Sequence, residues 1–215
     1  VTTANVIPAS SIAKGFPREQ ISHIAYDSEA LVVGAPGQII NLFKSPTNQA
    51  TGVQKTLYQT NMTTPGRFNR PESMEVHRIG IGIWPANGVG QTTVQTTAVS
   101  LLISILEDSN LLFTVGGSRK QYWNGPLHRL PAGAGLWAIL GRGTEAALTL
   151  DSNANNGYPM AKAMFPFAYQ IKIQWGEPFE MNITIGHPMP ASFAGLGSNP
   201  RIFGLLEGVK HRGIQ

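Results

Sequence analysis

The sequence predicts an all-β protein, a jelly-roll β-sandwich of about eight to ten antiparallel strands with one short helix. Three observations carry that expectation. First, two period-two patterns run back to back: Phe165, Phe167, Tyr169, Ile171, Ile173 and Trp175, then, after Gly176-Glu177-Pro178, Phe179, Met181, Ile183 and Ile185. Successive side chains on a strand point to opposite faces, so each run sets an apolar row against a core and a more polar row outside. The Gly-Pro break between them suits an antiparallel connection. Second, Met74 and Val76 set one phase while Ile79, Ile81 and Ile83 take the other. A change of phase within a strand needs one extra residue, which predicts a β-bulge near His77-Arg78. Third, 24 Gly and 15 Pro punctuate the 215 residues at uneven intervals, as expected when successive strands cross between two sheets.

In chain order, residues 1–36 show no sustained period and are broken by Pro8, Gly15, Pro17, Gly34 and Pro36. They read as an N-terminal arm and lead-in loop, with room for a short strand at Ile21–Ala25. Residues 37–215 are then a single jelly-roll domain, a length that all-β domains commonly reach as one unit. Strands are expected at Gln38–Lys44 and Val53–Gln59, before a polar, turn-rich stretch from Thr60 to Pro71. In Ser73–Trp84, Gly80 and Gly82 alternate with the isoleucines, and the missing side chains leave room for a close neighbour. Thr96–Asn110 fits a helical face through Ala98, Leu101, Leu102, Ile105 and Leu106, and a strand through Val99, Leu101, Ile103 and Ile105. A Thr cap at 96 or 97 favours the helix, although Asp108 at its end opposes the helix dipole.

Leu111–Val115 and Arg119–Trp123 read as a hairpin about Gly116-Gly117-Ser118. Asn124-Gly125-Pro126 and Pro131-Ala132-Gly133 bracket a loop, and strands at Leu136–Leu140 and Ala146–Leu150 flank Gly141-Arg142-Gly143. Asp151–Pro159 is a polar loop, Pro188–Pro200 another, and Ile202–Val209 the last strand. No internal repeat organises the chain.

Charge is the compositional outlier. Asp, Glu, Lys and Arg make up 13% of the residues, about half the usual share. A free monomer relies on a charged skin, so a neutral polar surface leaves room for extensive protein–protein contact; the plainer reading is a monomer with a Thr/Asn-rich β surface. Sixteen basic and twelve acidic side chains give a formal charge of +4. No run of five like charges occurs, and the densest basic clusters are Arg67/Arg70, Arg78, Arg119/Lys120 and Lys210-His211-Arg212. Such clusters suit contact with phosphate and do not announce a sequence-reading nucleic-acid domain. With no cysteine in the chain, disulfides, Cys-based metal sites and Cys nucleophiles are excluded.

Motifs for catalysis are weak throughout. Gly133-Ala-Gly135-Leu-Trp-Ala138 and Gly141-Arg-Gly143-Thr-Glu-Ala146 match a dinucleotide-binding glycine pattern, but no acidic residue follows at the ribose distance, and glycine turns account for both. His23, His77, His128, His187 and His211 lack the close spacing of zinc ligands. Ser73, Ser100, Ser118 and Ser192 lie outside any Gly-x-Ser-x-Gly elbow. Glu72 and Glu75 sit too close together, on a strand start, for a hydrolytic acid and base. Trp84, Trp123, Trp137 and Trp175, with Tyr58, Tyr122, Tyr158 and Tyr169, offer a sugar-stacking platform or, more plainly, core and interface filling. Asn61-Met62-Thr63 and Asn182-Ile183-Thr184 match the glycosylation tripeptide, a pattern short enough to arise by chance.

A resemblance enters through the middle of the chain. It rests on Thr63-Thr64-Pro65-Gly66-Arg67 leading to Arg70-Pro71-Glu72-Ser73 and Met74–Trp84; on Leu112-Phe113-Thr114-Val115-Gly116 through Lys120-Gln121-Tyr122; and on Gly125-Pro126-Leu127 with Leu130-Pro131-Ala132-Gly133. In this order of elements, residues 60–185 resemble the single jelly-roll capsid proteins of tailless icosahedral bacteriophages. The resemblance implies a non-enzymatic virion structural protein, located in the capsid, that self-assembles as trimers or pentamers into an icosahedral shell through loop and arm contacts. Its partners would be copies of itself and other virion proteins, with no small-molecule substrate, catalytic residue, metal or cofactor. Arg67, Arg70, Lys210 and Arg212 are the expected contacts to packaged nucleic acid or internal lipid, binding without sequence preference. Residues Val1–Pro17 suit an arm that orders on a neighbouring subunit. The alternative is a carbohydrate- or receptor-binding β-sandwich, a spike or lectin-like module.

Overall fold

The computed structural model describes residues 18–32, 36–84, 103–130, 137–140, 152–155, 160, 162–188 and 201–213. Among these residues ten strands follow one another: β1 (Arg18–Ala30), β2 (Gln38–Leu42), β3 (Ser73–Trp84), β4 (Ser109–Val115), β5 (Lys120–Pro126), β6 (Trp137–Leu140), β7 (Ser152–Asn155), β8 (Phe165–Ile173), β9 (Phe179–Ile185) and β10 (Arg201–Gly213). Eight of them form two four-stranded antiparallel sheets, ordered β1-β10-β3-β8 and β2-β9-β4-β5, while β6 and β7 pair as a separate ribbon. The all-β sandwich expected from the alternating patterns is the fold observed. The pairing is nested: β1 with β10, β2 with β9, β3 with β8, and β4 with β5.

Both sheets turn one apolar face inward. Met74, Val76, Ile79, Ile81 and Ile83 of β3, Ile202 and Leu206 of β10, and Ile171 and Ile173 of β8 meet Leu42, Leu111, Phe113, Met181, Ile183 and Ile185 in one continuous core. Burying an aliphatic side chain of this size contributes about 1.5–3 kcal/mol, so the matched rows fix the register of each strand. Gly204, central in β10, has a particular part in this packing. A Cβ there would lie 2.8 Å from both Leu42 Cδ1 and Met181 Sδ, so its absence lets the opposite sheet seat directly on the backbone.

The bulge falls where the phase shift places it. Val76 pairs with Gly208 and Arg78 with Glu207, leaving His77 as the surplus residue. Beyond it Gly82 and Gly80 stand beside Phe203 and Leu205 of β10, and those two side chains are buried on the outer side of the sheet. Tyr26 and Met164 pack on Leu205 there, giving a small second cluster. The hairpin about residues 116–118 also forms, with β4 and β5 paired from Asn110↔Pro126 to Val115↔Lys120.

Several expectations are corrected. The short strand expected at Ile21–Ala25 within a lead-in loop is instead the 13-residue β1, paired along its whole length with β10. Its inward positions include His23, Asp27 and Glu29 rather than aliphatics, which hides the strand from a hydropathy pattern. β1 thus places Arg18–Ala30 of the expected arm and lead-in loop in a sheet, while residues 1–17 and 33–35 of that segment lie outside the described residues. Gly176-Glu177-Pro178 does not close a hairpin: β8 and β9 belong to different sheets, so this turn carries the chain across the sandwich. Both apolar rows still face the same core, which is why the alternation resumes in phase. In β8 the alternation fails at Tyr169, which is 86% exposed. Val76 pairs with Ile171 but Arg78 with Pro166, so β8 spends five residues where β3 spends two, and Ala168-Tyr169-Gln170 bow out of the ladder.

Val53–Gln59 is loop apart from a bridge between Thr47 and Gln54. Asn124-Gly125-Pro126 extends β5 instead of opening a loop, paired with Asn110–Leu112, and the Asn110 amide donates to Asn124 Oδ1 at 2.9 Å. Of the helix expected over Thr96–Asn110, residues 103–108 are helical and Ser109 already begins β4, while residues 96–102 lie outside the described residues. Within the expected polar loop Asp151–Pro159, Ser152–Asn155 pairs with Trp137–Leu140; Ala146–Leu150 lies outside the described residues. The last strand runs past both expected ends, to Arg201 and Gly213.

Candidate interaction site

The four basic residues singled out from the sequence gather at one end of the sandwich, but they are not equivalent. Lys210 lies on β10 opposite Met74, in the inward phase. Its ammonium sits 5.9 Å from the centre of the Phe68 ring and 2.8 Å from Glu72 Oε1. Arg212, two residues on, donates to Glu19 Oε2 at 2.6 Å. Both are neutralised locally. Arg70 has no carboxylate within reach among the described residues and instead lies over the Trp175 ring at 5.1 Å. Arg67 is exposed and has no ion-pair partner among the described residues.

Backbone contacts hold this rim in place. Phe68 and Trp175 form a parallel bridge, the Gly176 N–H donates to Phe68 O at 2.9 Å, and the Phe179 N–H donates to Gly66 O at 2.8 Å. Gly66 has φ +60, and a Cβ there would meet Phe43 O at 2.9 Å and Phe179 O at 3.0 Å. Glycine is required at that position on both counts. Phe68 itself is buried and stacks on Phe179 at 5.4 Å between centroids, with Phe43 on the far side of Phe179 at 5.3 Å. The Arg67–Arg70 loop is thus anchored through its one aromatic residue.

Glu72 and Glu75, considered as an acid and base, are each engaged by cations. Glu72 pairs with Lys210, and Glu75 Oε1 lies 3.3 Å from Lys172 Nζ and 3.7 Å from His211 Nε2. His23 points inward nearby, where burial chiefly lowers its pKa, Lys210 lowers it further and Glu72 opposes them. The histidines do not converge: His187 meets Asp108 at 3.5 Å, far along the chain from His23 and His211. Among the described residues no three His, Asp or Glu side chains come together as a metal site. The aromatic residues are dispersed as well. Trp123 packs edge-on against Phe165, Tyr58 and Tyr169 are exposed, and among the described residues two rings meet a cation that has no ion-pair partner, Tyr122 with Lys120 and Trp175 with Arg70. The glycine repeat at 141–146 lies outside the described residues.

A second polar group went unnoticed in the sequence. Asp27 and Glu29 take consecutive inward positions of β1, and Lys55 reaches between them, 2.7 Å from Asp27 Oδ2 and 2.6 Å from Glu29 Oε1. All three side chains are essentially sealed from solvent, at 0–1% exposure. Asp27 Oδ2 also accepts the Phe43 N–H at 2.6 Å, and Glu29 Oε2 the Gln49 N–H at 2.9 Å. The Lys55–Glu29 contact meets no hydrogen-bond geometry and is held by charge alone. Phe43 adopts φ 66, a left-handed backbone unusual for a phenylalanine, and its bond to Asp27 supports that conformation. Arg201 completes the group: it donates to Ser28 Oγ at 3.3 Å, Ser28 O at 3.2 Å and Asn48 Oδ1 at 2.8 Å. Burial lowers its pKa, while Glu29 and Asp27 raise it. Two carboxylates thus face two cations. The only sequence signal was the Asp-Ser-Glu spacing, which puts both acids on one face of a strand.

No family model matches the chain, and no curated protein or solved structure gives a match.

Proposed function

We propose that this chain is a structural shell protein of a virion, a jelly roll whose activity is self-assembly. The observation that carries the reading is the nested pairing of four strand pairs rolled into two sheets, β1-β10-β3-β8 against β2-β9-β4-β5. This order supports a jelly-roll reading, in which an antiparallel ribbon is folded over as two Greek keys, an architecture used by viral shells and by lectin domains alike. Two further features favour the shell. Charged residues make up only 13% of the chain, and large apolar side chains stand exposed on loops and strand edges: Ile39, Val53, Leu57, Tyr58, Tyr169 and Trp175. Neutral surface with scattered aromatic anchors is what subunit contacts cover in a closed assembly. The partners in this reading are further copies of the chain and other virion proteins.

Light scattering and negative-stain electron microscopy of purified protein test it. Trimers, pentamers or closed particles are expected. A protein that stays monomeric at every concentration and selects sugars on a glycan array would overturn the reading in favour of the carbohydrate-binding sandwich. Removing residues 1–17 is expected to weaken assembly while leaving the far-ultraviolet circular dichroism unchanged; undiminished assembly would dismiss a role for the arm.

A further inference from the structure

We infer that the rim formed by Arg67, Arg70 and Trp175 binds single-stranded nucleic acid, the guanidinium groups taking phosphates and the exposed part of the indole taking a base. The argument begins with which charges remain available. At this end of the sandwich Lys210 is matched by Glu72, Arg212 by Glu19 and Lys172 by Glu75. Arg67 and Arg70 are left without a carboxylate partner among the described residues, three positions apart and both exposed. Of the acidic groups at this end Glu72, Glu19 and Glu75 are paired with cations, while Glu177, two residues past Trp175, accepts the Gln174 N–H at 2.9 Å and is matched by no cation among the described residues.

The aromatic partner is the second element. Trp175 is 50% exposed although it belongs to a stretch whose apolar row otherwise faces the core, and Arg70 lies over its ring at 5.1 Å. An indole capped by a guanidinium presents a flat surface beside a fixed positive charge, the combination that holds unpaired bases without reading their identity. Such a surface works only if it is held in place. Here the loop is anchored by buried Phe68, its bridge to Trp175 and the Phe179-to-Gly66 and Gly176-to-Phe68 hydrogen bonds.

A membrane is the less suitable ligand. Insertion into lipid needs several aliphatic or aromatic side chains beside the cations; Trp175 supplies a single one here, and the exposed Val53, Leu57 and Tyr58 belong to the loop around Lys55, which is tied to the opposite half of β1. In a shell the rim would face the packaged strand. That orientation rests on the shell reading, whereas the binding itself does not.

Fluorescence anisotropy with a labelled single-stranded oligonucleotide of mixed sequence tests the site across a salt series. Binding that weakens with salt is expected. Replacing both arginines (Arg67→Ala with Arg70→Ala) should lower the slope of log K against log salt by about 1.4, two phosphate contacts at about 0.7 each for a single strand. Trp175→Ala should weaken binding about tenfold at fixed salt, the loss of one stacked base. Lys210→Met combined with Glu72→Gln is the contrast and should change binding less than either, because it removes a matched pair together. Unfolding curves of each variant separate loss of the site from loss of the fold. The inference fails if the intact protein does not bind the strand at low salt, if the arginine and tryptophan variants bind as the parent does, or if anionic vesicles are bound and the strand is not. Light scattering on the same variants reports assembly separately, so a failed shell and a failed strand site give different results.

Discussion

The two ends of the first sheet solve the same electrostatic problem in opposite ways. At one end Lys55 lies between Asp27 and Glu29 with no exposure of the ammonium; at the other Lys210 meets Glu72 with both side chains still reached by water, at 17% and 26%. The two are separated by the six residue steps of β10 from Gly204, the partner of Asp27, to Lys210, about 20 Å along a strand. A pair sealed from water must be complete, because removing one member leaves an uncompensated buried charge. A pair at the surface is screened and its members can be lost at little cost. The closed end therefore determines where the loop at 43–60 lies, while the open end leaves two arginines free for a ligand. An aromatic row connects them through the core: Asp27 binds the Phe43 backbone, and Phe43, Phe179 and Phe68 stack in sequence to the face that Lys210 covers.

The sharpest break in this contrast is Lys55→Met against Lys210→Met. Lys55→Met is expected to cost about 3–5 kcal/mol in urea unfolding, and Lys210→Met about 1 kcal/mol or less. Equal losses would mean that the two ends are not electrostatically distinct. Next in size is Gly66→Ala, at the joint between them. A left-handed backbone and two carbonyl oxygens against the new methyl predict a loss of about 1–2 kcal/mol or more; an unchanged denaturation midpoint would show that the Phe43 and Phe179 backbones are free to move apart.

His23 gives a smaller effect with a definite sign. Its pKa is lowered in the folded protein, chiefly by burial and then by Lys210, so as pH falls through the unfolded value near 6.5 the unfolded chain takes up a proton first. Stability is therefore unaffected by this group above that pH and declines below it, until the folded-state pKa is passed. Urea midpoints at pH 7.5 and 5.5 should draw closer together in His23→Gln than in the parent; an identical gap would remove His23 from the acid response. The smallest change is expected from Tyr58→Ser, in the same loop as Lys55 but 90% exposed. Stability should move by less than about 0.5 kcal/mol. A larger loss would mean that the loop is held by its surface as well as by its buried lysine.

How much of this was legible depended on where polar residues fell. The strands whose inward rows are aliphatic could be read directly, including the extra residue at His77 and the glycines beside Phe203 and Leu205. β1 could not, because three of its inward positions hold His23, Asp27 and Glu29, and their partners Lys55 and Arg201 are distant in sequence. Sheet membership was equally hidden: the pattern from Phe165 to Ile185 shows which side chains face the core but not that its two strands approach that core from opposite sheets. At the open end the cations were visible in the sequence, whereas their neutralisation was not. Arg212 and Glu19 are 193 residues apart, and nothing local distinguishes a paired arginine from a free one.

The position of β10 has a consequence during synthesis. It lies between β1 and β3, pairing with both, so β1 has no neighbour in its sheet, among the described strands, until residues 201–213 follow. Until then β1 presents unpaired amides and carbonyls, the condition under which a nascent chain is prone to associate with others. Closing contacts of such long sequence separation is slow, and a cell making this protein in quantity would need to shield that strand until residues 201–213 have been made.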